Sequence, residues 1–159
     1  KLNRYAGHTT KFYGVGEHSV LVAMRVWQIC TEHGVTGRLR VLITLAALLH
    51  DATEAYMVVI PRPLKRLPGM EAYRQMEAEL EALVRIKFVG TIPEWAEEWI
   101  HQADREMLAV ERRDVMSVTE RVWSNANDPI PGFHAGFWSY QEAERGFMET
   151  YKWLMTQLM

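Results

Sequence analysis

A chain of 159 residues, 48% hydrophobic and 24% charged, is long enough for one domain that buries roughly 70% of its unfolded surface without disulfides or subunit contacts. A formal net charge of −2 argues against a protein that coats a nucleic-acid polymer, and the single cysteine, Cys30, has no internal partner. No apolar run reaches a membrane span and no secretory leader follows Lys1, so the expectation is a cytoplasmic protein with neither a membrane nor a nucleic-acid partner.

Residues 1–16 are polar and aromatic, with Gly7, Gly14 and Gly16 as breakers, and are expected to form a loop or short helical turns. Helical spacing of Val20, Leu21, Met24, Trp27 and Cys30 predicts a first helix over residues 17 to about 33, ended by Gly34 and Gly37. His18 then lies in its first turn. The second helix is expected over about residues 37–55. Its segment LAALLHDATE begins apolar, as a buried element does, and ends with His50, Asp51 and Glu54; continued helix puts Glu54 one turn beyond the other two.

Three prolines within residues 58–68 interrupt helix formation, so PRPLKRLP reads as a ring-stiffened loop beside that end. A fairly polar amphipathic helix over 70–88 is marked by Met70, Tyr73, Glu77, Leu80, Val84 and Lys87 and closed by Gly90. Pro93 suits the first turn of the next helix, 93 to about 116, whose stripe is Ala96, Trp99, Ile100, Ala103, Met107 and Val110. Asp104 lies next to that stripe. Residues 117–139 read as an irregular aromatic segment over the core, and a last helix over about 140–158 packs with Ala143, Phe147, Tyr151 and Leu154. No run alternates with period two and no segment repeats, so the fold class is all-α.

Three separate helices therefore carry candidates for a divalent transition metal: His18 on the first, His50 and Asp51 on the second, Asp104 on the fourth. Each has an ordinary alternative, a capping or core histidine for His18, a hydrogen-bonded pair for His50 and Asp51, and a salt-bridged carboxylate for Asp104. Arg62, Lys65 and Arg66 cluster on the proline segment near Glu54, which suits a phosphate chain; a solvated basic turn is the rival. Arg4, Tyr5, His8, Phe12 and Tyr13 mix a bidentate cation with stacking surfaces, as a nucleotide requires, or form a hydrophobic lid.

His18, His50 with Asp51, and Asp104 reproduce an H…HD…D signature in order. Together with EHSVLVA at 17–23, ALLHDATEAY at 47–56, IPRPLK at 60–65 and ERRDVM at 111–116, they resemble the HD-domain phosphohydrolase superfamily. The branch is that of small bacterial 5'-deoxynucleotidases and phage dATP triphosphohydrolases. The resemblance spans about residues 4–116, and no family motif lies beyond 117. Val58 and Val59 stand where many relatives have a Gly and an Asp, and the GYP motif of cyclic-dinucleotide phosphodiesterases is absent.

The resemblance implies a compact HD helical bundle in a single domain: a substrate loop over 1–16, a metal core over 17–116 and an aromatic segment with a closing helix over 117–159. It makes His18, His50, Asp51 and Asp104 the ligands of one divalent ion, Zn, Co, Mn or Fe, and Glu54 the catalytic carboxylate. Arg4, Arg62, Lys65 and Arg66 become candidates for substrate contact. The implied activity is hydrolysis of 2'-deoxynucleotide phosphates, with a dATP-type triphosphate expected, a deoxynucleoside monophosphate as the alternative and a non-catalytic nucleotide sensor as a further one. Relatives also imply a homo-oligomer.

Overall fold

The apolar spacing resolves into six α-helices in a computed structural model that describes residues 2–57, 60–117 and 128–159, apart from the side chain of Arg62. They are α1 Val15–Glu32, α2 Gly37–Leu48, α3 Arg62–Lys65, α4 Glu71–Phe88, α5 Glu94–Asp114 and α6 Tyr140–Leu158. The class is all-α. Among the described residues no helix is long and apolar enough to cross a membrane.

Helix α1 is the hub, packing against α2, α5 and α6, while α2 also meets α5 and α6. Val22, Val26, Ile29, Ile43, Leu45, Leu48, Met107, Val110 and Leu154 fill the space between them and are essentially buried. Burying each such side chain contributes about 1.5–3 kcal/mol. Helix α6 is started by a reciprocal cap: Ser139 Oγ accepts from the Glu142 N–H at 3.3 Å, and Glu142 Oε2 accepts from the Ser139 N–H at 2.8 Å. Helix α4 stands apart. It packs against the turn at Ala52–Ala55 and contains no buried residue.

Three expectations require correction. The second helix stops at Leu48, seven residues early, because His50 Nδ1 turns back to the Ala47 carbonyl at 2.7 Å and caps one of the last helical acceptors. His50 and Asp51 thus lie in a turn, and Glu54 in the 3-10 turn Ala52–Ala55. The proline segment is not wholly a loop. Pro61 precedes α3 and Pro63 sits in its first turn, where a missing N–H costs nothing and the fixed φ favours helix. Finally, Gly16 is no breaker but part of α1, where an added Cβ would lie 3.3 Å from the Ala143 carbonyl oxygen; its absence lets α6 approach.

The expected N-terminal loop is a 3-10 turn, Arg4–Gly7, followed by a return through the Asn3–Gly14 bridge. Thr10 fastens the return to the end of α5, donating from both its N–H and its hydroxyl to the Val115 carbonyl, at 2.9 and 3.0 Å. Residues 128–139 run irregularly, as expected, whereas 118–127 of that segment, and Val58 and Val59, lie outside the described residues.

Candidate metal centre

The first turn of α1, the break after α2 and the middle of α5 bring His18, His50, Asp51 and Asp104 to one place. His18 Nε2 lies 3.2 Å from His50 Nε2, 3.6 Å from Asp51 Oδ2 and 3.3 Å from Asp104 Oδ1. His50 Nε2 lies 3.4 Å from Asp51 Oδ1 and 4.0 Å from Asp104 Oδ1. Donors held about 2.1 Å from one ion are about 3.0 Å apart at right angles and about 3.4 Å apart at the tetrahedral angle. For His18, His50 and Asp51 the spacing is compatible with one coordination sphere, and Asp104 lies beside that group. Ligand atoms of His18, His50 and Asp51 all lie within 4.8 Å of one another, a group that could hold a metal ion.

The far side of each ring decides what the near side offers. A carbonyl oxygen only accepts, so His50 Nδ1 donates to Ala47 and its Nε2 carries a lone pair. His18 Nδ1 faces Glu111 Oε1 at 2.5 Å. Glu111 is wholly buried, yet Arg4 and His18 outweigh the burial and pull its carboxyl down to about 2, so it accepts the Nδ1 proton. Two lone pairs facing each other at 3.2 Å repel unless a cation joins them, and this donor set fits a metal ion. A proton answers the same need: burial and Arg4 push the His18 pKa down, but Glu111 and Asp104 prevail and raise it to about 9. Asp104 is in turn held well below the usual carboxylate range, its burial outweighed by the hydrogen bond and charge of His18.

Arg4 leans over this group, with Nη1 3.0 Å from Asp51 Oδ2 and Nη2 3.3 Å from Glu111 Oε2. The Tyr5 hydroxyl donates to that same Glu111 oxygen. Among the described residues, Arg4 Nε and Glu54 Oε2 are buried without a hydrogen bond. Polar atoms left in this way are ordinarily satisfied by water or a ligand. Burial and then the Asp51 charge push the Glu54 carboxyl up to about 7.

The remaining predicted contacts are less assembled. Lys65 Nζ is paired with Glu77 Oε1 at 2.5 Å and lies 5.7 Å from the centre of the Tyr73 ring. Its charge still reaches Glu54. Arg66 is exposed, and the Arg62 side chain lies outside the described residues.

Sequence reasoning assigned no role to Glu111. The signal available was spacing, because Glu111 follows Asp104 by two helical turns and so shares its face of α5. Glu17 was also missed. Its buried carboxylate accepts the N–H groups of Gly136 and Trp138 at 2.5 and 2.9 Å, clamping the C-terminal segment onto α1 beside His18.

No known family profile matches the chain. It is similar to the uncharacterized protein YfdR of Escherichia coli (strain K12), with 39% identity over 112 residues. That match covers 70% of this chain and 53% of the relative, so the chain spans about half the length of the curated relative it matches.

Proposed function

We propose that the protein is a divalent-metal-dependent phosphohydrolase of 2'-deoxynucleotides. The observation that carries this reading is the pair of imidazole Nε2 atoms facing each other at 3.2 Å, with Asp51 and Asp104 beside them. His18, His50, Asp51 and Asp104 would hold the ion, and two imidazoles with two carboxylates suit Zn, Co, Mn or Fe. When bound, such an ion acidifies water and neutralises charge on phosphoryl oxygens.

The chain supplies the rest. Glu54, with its carboxyl near 7, is balanced between its two forms at neutral pH and can take a proton from attacking water or return one to a leaving oxygen. Arg4 has N–H groups beyond those used by Asp51 and Glu111, among them the unpartnered Nε, with which to bind a phosphate.

The deoxynucleotide, the adenine preference and the homo-oligomer rest on the resemblance to HD phosphohydrolases. A triphosphate is favoured by the three basic residues of the proline segment, Arg62, Lys65 and Arg66, whereas the Lys65 to Glu77 pair favours a single phosphate as the second reading, because it removes one of those cations from service. The test is release of phosphate, triphosphate and nucleoside from a panel of deoxynucleoside mono- and triphosphates with each metal, comparing wild type with Glu54→Ala. Metal-stimulated release that Glu54→Ala abolishes is expected. Nucleotide binding with no release under any metal would instead identify a sensor.

A further inference from the structure

Glu111 touches both working parts of the centre. Its Oε1 lies 2.5 Å from His18 Nδ1, and its Oε2 accepts the Tyr5 hydroxyl and forms an ion pair with Arg4, Nη2 lying 3.3 Å away. The side chain is wholly buried. A carboxylate in such a place is costly unless paired, and its two oxygens meet the His18 ring, the Tyr5 hydroxyl and the Arg4 guanidinium, from α1 and the N-terminal turn. The turn itself is strained: Tyr5 and Ala6 have φ of 55° and 51°, in the left-handed region that non-glycine residues avoid. Such a conformation persists where its surroundings over-determine it. The side chains on either side of the Arg4 to Tyr5 peptide both end on Glu111.

We propose that Glu111 is a positioning residue that couples the metal ligand His18 to the phosphate-binding Arg4. This inference rests on the metal-dependent reading above and adds to it. Through Nδ1, the carboxylate fixes the His18 tautomer and makes Nε2 a stronger donor to a cation. Through Nη2 and the Tyr5 hydroxyl, it aims the Arg4 guanidinium over the same centre. One anionic side chain thus sets the affinity for a metal and, separately, the affinity for the anion bound next to it.

The test uses the full chain, with Co²⁺ or Zn²⁺ uptake measured by calorimetric titration and orthophosphate binding measured on the metal-loaded protein. Wild type, Glu111→Gln, Arg4→Gln and the double variant are compared. Glu111→Gln should bind metal about 10–100-fold more weakly and orthophosphate about tenfold more weakly. Arg4→Gln should lose phosphate affinity to a similar degree without losing metal affinity, since it removes a positive charge beside Asp51. The double variant should bind phosphate no more weakly than Arg4→Gln alone.

That asymmetry separates positioning from general loosening, which would weaken both ligands in both single variants. Metal affinity unchanged in a folded Glu111→Gln, or phosphate losses that multiply in the double variant, would overturn the coupling and leave the metal centre standing. A wild type that takes up no divalent ion would overturn both. If Glu111→Gln does not fold, Glu111→Asp keeps the charge but withdraws it from His18 by one carbon. It too should lose about tenfold in metal affinity, and unchanged affinity would overturn the proposal.

Discussion

The Nε2 atoms of His18 and His50 point at each other across 3.2 Å, and each ring is already held from behind, His18 by Glu111 and His50 by the Ala47 carbonyl. Neither ring can turn its protonated nitrogen inward without breaking a hydrogen bond. The arrangement is a fixed demand for positive charge, which Asp51 and Asp104 reinforce.

Removing a donor should therefore remove the ion. Asp51→Asn and His50→Ala are expected to purify with less than about a tenth of the wild-type metal content, because each would remove one of the four proposed ligands and metal affinity is set by ligand number and charge. Elemental analysis after dialysis reads this directly. Stoichiometric metal in Asp51→Asn would eliminate the centre.

In the proposed centre, proton and ion would compete for His18 Nε2, which sets a pH dependence. With the His18 pKa raised to about 9, the affinity for a divalent ion should climb about tenfold per pH unit from pH 7 and level off above about 9. The stability of chelator-treated protein should run the other way. A raised histidine pKa stabilises the fold fully below its ordinary value of 6.5 and loses that contribution as pH rises through 9. Thermal melts from pH 6 to 10, with and without chelator, should diverge as pH increases. Parallel curves would contradict the competition.

Glu54 should behave differently from the ligands. Glu54→Gln is expected to retain metal and lose about 10²–10⁴-fold in turnover, since general acid–base assistance is worth that much. If Glu54 acts as the base, wild-type turnover should fall as pH drops through about 7, where its carboxyl protonates, and this limb should vanish in the variant. Loss of metal along with activity in Glu54→Gln would make it a structural residue instead.

What the sequence made legible follows from periodicity. The helices around α1 announced themselves through apolar spacing, which placed His18 in a first turn and Asp104 along the fourth expected helix, as found. The break after Leu48 was hidden, because LAALL continues an apolar pattern and only the His50 side chain, folding back on Ala47, ends the helix. Pro63 misled in the opposite sense, since proline stops a helix interior but suits a first turn. Glu111 was hard to weigh because its importance lies in contacts with His18, Arg4 and Tyr5, about 93 to 107 positions away in the chain, and local pattern carries no trace of such pairing.

The choice between one phosphate and three turns on the Lys65 ammonium. Held 2.5 Å from Glu77 Oε1, it must leave that carboxylate to reach a phosphate chain, and both partners are about a fifth exposed, so the exchange takes place partly in water. Such a pair is worth about 1 kcal/mol or less, which a multiply charged ligand can exceed. Lys65→Ala should therefore raise KM for a triphosphate more than for a monophosphate. Glu77→Gln, by releasing the ammonium, should lower the triphosphate KM by about threefold. The ratio of kcat/KM for dATP to that for dAMP across wild type and the two variants measures this. Equal shifts for the two substrates would take Lys65 out of substrate recognition and leave the single-phosphate reading as the better one.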